Sequence, residues 1–287
     1  MRAAFIKGIL ISLSLLLILN TLLGRIEAQR IKEELVDTSS YDALTPGEFV
    51  GTIALAGFRA MAVDMLWVRA IDLWKEKDWY QALTVYRLIS KLQPHFEEAW
   101  VTNGWNMAVN IAVSKRQMGA DAEAWEWVEE GLAYLKEGIS RNPKSHYLHY
   151  YYGWLTYRMG QDEYYRAQFQ RLGIDPLEES YLFLKKASDL KGPHYAYDSR
   201  LAFILHEKGV RVQENGNGAE ALDLFKASKA HMEQAFTNIP DGPPGSEIHT
   251  NFLNFRENLT QKLADIDRLI QGLEKIQGVG DPGLGAG

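Results

Sequence analysis

The rhythm of apolar and polar positions changes four times along the chain. Between Ile9 and Leu23 stand eleven leucines and isoleucines, broken only by Ser12, Ser14, Asn20 and Thr21. Residues 25 to 46 are polar and charged and end in the turn signal Thr45-Pro46-Gly47. From Phe49 to Leu73 the chain is apolar again, with helix spacing firm from Phe58 onward. Beyond that, apolar and small residues recur at i, i+4 and i+7, the period of helices packed on one face, as far as a last amphipathic helix from about Glu247 to Gln277. The chain closes on GVGDPGLGAG, which reads as a disordered tail.

The first apolar run predicts a membrane anchor over residues 1–24. Each leucine or isoleucine favours insertion by roughly 0.3 to 0.6 kcal/mol, and together they outweigh the four polar residues among them. Ala3 to Gly24 is 22 residues, long enough to span if Lys7 reaches back to the interface. A cleaved signal peptide is the competing reading, but Ile26 with Ala28, or Leu22 with Gly24, puts a large residue where a signal peptidase needs a small one. Arg2 and Lys7 ahead of the run favour a cytoplasmic N-terminus. The remaining chain is then expected on the periplasmic or other extracytoplasmic side of a cell membrane, with residues 25–62 as a juxtamembrane linker.

From Val63 to Phe96 the chain shows Leu66, Ala70 and Leu73, then Ala82, Tyr86, Ile89 and Pro94. This pattern resembles the tetratricopeptide repeat, in which small residues let two antiparallel helices approach and a proline stops the second. Three further copies are lengthened. The small residue of each first helix and the small residue opening each second one are Ala70 and Ala82, Gly104 and Gly131, Gly153 and Ser180, Ala202 and Ser228, at intervals of 12, 27, 27 and 26. Helix stops inside the long intervals, at Gly119-Ala120-Asp121, Gly173-Ile174-Asp175-Pro176 and Asn215-Gly216-Asn217-Gly218, place the extra residues on both helices of each hairpin. The expected fold is all-α: four repeats over 63–242, a capping helix over 243–277 and the tail 278–287. The resemblance implies a right-handed superhelical solenoid, and the N-terminal apolar run places one transmembrane helix ahead of it.

Composition narrows the chemistry. The net charge of −6 comes without a long basic block, so the electrostatic footprint of a nucleic-acid binder is missing. With no cysteine, thiol catalysis, disulfides and cysteine-ligated zinc are excluded. His146 and His149 share a helix face at i, i+3 but have no nearby carboxylate, and read as packed aromatics. No phosphate loop, nucleophile elbow or calcium loop occurs. The expectation is a non-enzyme with no catalytic residue, metal or cofactor.

The resemblance implies that first helices line a concave inner surface. Of the sixteen positions beside the core stripe, eight are Trp, Tyr or Phe. The expected groove is Trp67, Trp74, Trp105, Tyr147, Tyr150, Trp154, Tyr157 and Phe203, with His206. Tyrosine and tryptophan offer large contact area at low entropic cost, so the groove suits a peptide segment or a subunit of a complex. The implied function is a membrane-anchored protein-protein interaction adaptor. The alternative is a structural subunit of a membrane-associated assembly or homo-oligomer, with the groove permanently buried by a neighbour, by the superhelix closing on itself or by the terminal helix. Glycan stacking on the same rings is a third reading.

Overall fold

The computed structural model describes residues 59–243 and 246–279, together with residues 14, 15, 18, 21, 22, 25 and 29. Most of the expected anchor and linker, and residues 280–287 of the tail, lie outside the described residues. Among the described residues every regular element is helical, and none is long and apolar enough to cross a membrane. The chain divides into two compact units, Met1–Pro143 and Lys144–Gly287.

The first unit contains α1 (Arg59–Lys75) paired with α2 (Trp79–Leu92), then α3 (Glu97–Trp105), a π-helical segment (Asn106–Ile111) and α4 (Ala112–Gln117), all three against α5 (Asp121–Arg141). The second contains α6 (His146–Gly160) and α7 (Glu163–Arg171) with α8 (Pro176–Lys191), then α9 (Tyr195–Glu214) paired with α10 (Gly218–Thr237), and α11 (Glu247–Val279) against α10.

The small residues picked out by the repeat pattern are the contact points of these pairs. Ala70 and Ala82 are fully buried in one cluster with Leu73, Tyr86 and Ile89. Gly104 and Gly131 bring backbone onto backbone: a Cβ on Gly131 would stand 2.6 Å from the Gly104 carbonyl oxygen. At Gly153 a Cβ would meet the Ser180 carbonyl oxygen at 3.1 Å. The buried Ser228 hydroxyl donates to the Ala202 carbonyl at 2.7 Å. Residues of this size let helix axes draw close, and the large neighbours fill the flanks.

Hairpin turns share one device. Residues Gly119, Gly173 and Gly216 have φ of 75°, 72° and 85°, and the next residue's amide returns to a carbonyl five residues back: Ala120 to Lys115, Ile174 to Phe169, Asn217 to Val212. That left-handed cap is cheapest for glycine, which has no Cβ to clash. The first hairpin makes the same bond, Asp78 to Leu73, with Lys77 at φ 60°. Asp78, Asp175 and Asn217 then cap the following helices, accepting from Gln81, from Leu177 and Glu178, and from Glu220.

Two first helices are not continuous, contrary to the expectation of evenly lengthened hairpins. In the first unit the helix widens to π geometry over Asn106–Ile111, with Asn103 and Asn106 fully buried beside it. In the second it breaks after Gly160, where a Cβ would lie 2.6 Å from Pro176 Cβ. Asp162 restarts the chain as the cap of α7, accepting from the Tyr165 amide. Both departures arise where a helix must fit its neighbour; the π segment holds no glycine or proline, whereas the break follows Gly160 directly.

A candidate aromatic binding face

In the second unit the expected groove residues of α6 lie beside α9, turn against turn. His146 Nδ1 is 2.9 Å from the Tyr197 hydroxyl, and the Tyr150 ring centroid is 4.5 Å from that of Tyr197. One turn on, Arg200 stands over the Trp154 indole at 5.8 Å, and Arg158 reaches the same ring at 5.7 Å. Next, Tyr157 meets Phe203 edge-on at 5.9 Å and donates its hydroxyl to Glu207 at 2.8 Å. Burial, and then the hydrogen bond to the Glu207 carboxylate, push the Tyr157 hydroxyl's pKa well up, so it remains a proton donor across the physiological range.

This ladder orders the face without sealing it. Tyr147, Tyr150, Tyr151, Trp154 and Tyr157 are each half-buried. Tyr147 and Tyr150 both pack edge-on to Tyr151, at 4.7 and 5.5 Å, so the upper part of the ridge is a contiguous aromatic surface. The two guanidinium groups beside Trp154 add charge next to an apolar face, an arrangement that favours a desolvated anchor with polar surroundings.

Other expected groove residues are placed differently. Trp67 packs into the core of the first unit, 5.5 Å from Tyr86 and 5.0 Å from Phe96. Trp74 is 47% exposed and touches Trp79 edge-on. Trp105 is half-buried at the end of α3, where the π segment begins. Ala108 is buried inside that segment, within reach of Gly131 on α5. The wider π turn changes which residues face the partner helix. Phe203 and His206 lie under α11: Lys262 Nζ stands 5.1 Å from the Phe203 ring centroid, and Phe203, His206, Lys262, Asp265 and Ile266 surround a cavity of about 80 Å3. Of the expected groove residues of this unit, those of α6 form the half-buried aromatic row beside α9.

Sequence spacing missed the charged partners Arg158, Arg200 and Glu207, because offsets chosen for the groove counted only one row of each first helix. Their signal was present: Arg200 and Glu207 sit one helical turn apart from the aromatic positions of α9. Among the described residues no group of three His, Cys, Asp or Glu side chains is placed to hold a metal ion.

Partial covering by α11 leaves a titratable group in an unfavourable place. Burial lowers the His206 pKa, and nearby Lys262 adds to the effect. The folded state therefore prefers neutral His206, and the stability this contributes is present above the ordinary histidine value of about 6.5 and lost as pH falls through the lower folded value. Replacing His206 by phenylalanine is expected to flatten the fall in stability of the second unit below about pH 6.5, read from urea midpoints across a pH series.

No protein-family profile matches the chain, and no curated protein is similar to it in sequence. Among solved structures, similar ones include the crystal structure of MamA protein, at 11% identity and a TM-score of 0.36, covering 79% of this chain and 100% of that one. A second is MamA 41-end from Desulfovibrio magneticus RS-1, at 17% identity and a TM-score of 0.35, covering 75% of this chain and 95% of that one.

Proposed function

We propose that this protein is a non-catalytic, membrane-anchored scaffold that binds a polypeptide partner, with its helix pairs continuing as a right-handed solenoid of tetratricopeptide-repeat type. The carrying observation is the α6 ridge: Tyr147, Tyr150 and Trp154 half-buried in one row, with Arg158 and Arg200 flanking the indole. Tryptophan, tyrosine and arginine are the residue types that dominate protein interface energetics. Here they are held by a packed helix pair, so little ordering entropy is left for binding to remove. The partner captured from native membranes by the wild-type chain is expected to be lost from Trp154→Ala.

Membrane anchoring rests on the apolar run from Ile9 to Leu23, in which the described Leu15, Ile18 and Leu22 are all exposed. An extracytoplasmic location follows from Arg2 and Lys7 preceding that run. Protease added to intact cells should be excluded by the outer barrier and should cleave the repeats once that barrier alone is permeabilised, with the inner membrane still sealed. Cleavage only after the inner membrane is lysed would place the repeats on the other side.

A second reading has its own support. On α1, Met61, Met65 and Val68 are 57%, 69% and 59% exposed and lie at i, i+4 and i+7, one apolar stripe facing outward. Such a stripe favours a structural subunit packed permanently against another copy or another protein. A fixed assembly size of the detergent-extracted protein on dilution would favour this reading, and a monomer at micromolar concentration would remove it.

A further inference from the structure

Where α6 breaks into α7, the second unit opens into a cleft of about 610 Å3, within the usual range for small-ligand sites. Tyr157, Gln161, Arg166 and Glu207 are among its polar lining, and Ile174, Leu177 and Val210 supply apolar surface. Two charges in this lining are fixed in position yet have no counter-ion. Arg166 is tethered by backbone carbonyls, donating from Nε to Gly160 at 2.8 Å and from Nη2 to Gln161 at 3.2 Å. No carboxylate among the described residues pairs with it, and Nη1 has no hydrogen-bond partner. Glu207 accepts from the Tyr157 hydroxyl on one oxygen and from Gln161 Nε2 at 3.3 Å on the other, and no described cation pairs with it.

These two groups do not neutralise each other. Both contact Gln161, one at its carbonyl at 3.2 Å and one at its side-chain amide at 3.3 Å, so their separation is bounded by one glutamine residue and the two hydrogen bonds at its ends. Among the other charges of the lining, Glu214 is exposed on the last turn of α9. Arg211 is closed on Asp175 at 2.7 Å, and Asp175 also caps α8, so the helix N-terminus is already satisfied. A simple anion would face Asp175, Glu207 and Glu214 in the same lining, and a simple cation would leave Arg166 unmatched. A molecule carrying both charges matches both groups.

We infer that this cleft binds a zwitterionic ligand in which an ammonium or guanidinium group and a carboxylate are separated by a short apolar chain, the cation at Glu207 and the carboxylate at Arg166. A free basic amino acid and the C-terminal basic residue of a polypeptide share this chemistry. Guanidinium suits the carboxylate through paired N–H donors, and the fixed Glu207 carboxylate keeps lone pairs free for an N–H donor.

Calorimetric titration of the full-length protein in detergent with 6-aminohexanoate tests the site, with hexylamine and hexanoate carrying each charge alone. The expected result is binding of 6-aminohexanoate at least about tenfold tighter than either single-charge probe. Glu207→Gln keeps an acceptor for Tyr157 but removes the charge, and should weaken binding about tenfold, as should Arg166→Gln. Trp154→Ala should leave it unchanged, so failure here and failure of the partner-binding face are read separately. Free lysine binding more tightly than an N-acetylated peptide ending in lysine would assign the amino acid, and the reverse order the chain terminus. Equal binding of hexylamine or hexanoate, two charge variants that bind as wild type with unchanged thermal midpoints, or no binding at about 10 mM ligand would overturn the inference.

Discussion

Gly131→Ala is expected to destabilise the first unit by about 3 kcal/mol. In an ordinary helix interior the same change gains about 1 kcal/mol, because alanine restricts the unfolded chain and favours the helix. Here the added methyl would stand 2.6 Å from the Gly104 carbonyl oxygen and 2.9 Å from both Cβ and N of Ala108. Two of those atoms are backbone, so relief requires α5 to move away from α3 and the π segment, which lengthens every contact along the seam. The loss of packing exceeds the propensity gain. Gly272→Ala on α11 is the matched control: it is helical and exposed, and an added Cβ meets nothing within 4 Å. It should stabilise the second unit by about 1 kcal/mol. Seven of the eight tryptophans lie in the first unit, so the fluorescence midpoint in urea reports chiefly on Gly131→Ala, and far-ultraviolet dichroism on both. A gain at both positions would mean that the helices of the first unit are not held at backbone contact.

The two glycines also show which parts of the structure were legible in the sequence. Gly131 was readable as a contact point because its interval from Gly104 recurs between Gly153 and Ser180 and, one residue shorter, between Ala202 and Ser228. The turns at Gly119, Gly173 and Gly216 were readable because a left-handed backbone position declares itself by residue type. The π segment at Asn106–Ile111 was not, since nothing local demands it; the widened turn accompanies the fit of Asn106, Met107 and Ala108 into a buried seam against α5. Nor was the covering of Phe203 and His206. Leu259, Ile266, Ile270 and Leu273 mark α11 as amphipathic, but only the fold shows which helices its face meets. Trp67 illustrates a similar limit: its offset from Ala70 put it on the groove side, while the packed rings of Tyr86 and Phe96 draw it toward the core. The charged half of the α6 face escaped for a different reason. Arginine and glutamate on a helix are normally solvated, and Arg200 and Glu207 gain meaning only when α6 lies alongside them.

Trp154→Ala should reduce partner binding by 2 kcal/mol or more, about 30-fold in affinity. The indole is half-buried, so truncation removes contact area from the centre of the ridge and leaves Arg158 and Arg200 without the ring they stand over. Stability should change less than at Gly131, because Trp154 lies outside the cluster formed by Leu177, Leu184, Leu201, Ile204 and Leu205. Tyr147→Ala, on the same ridge and packed edge-on against Tyr151, should act in the same direction with a smaller effect. Tyr150 is a poorer probe, since its ring lies 4.5 Å from Tyr197 and holds α6 to α9.

The most direct measurement is the affinity of the wild-type chain and of the Trp154→Ala, Tyr147→Ala double variant for the partner that co-purifies with the wild type from native membranes. Both proteins are compared at equal helicity by circular dichroism. The scaffold reading predicts that the variant loses about 30-fold or more in affinity while its urea midpoint stays close to wild type. Wild-type affinity in a folded double variant would contradict it, and the α6 ridge would then be packing rather than a binding face.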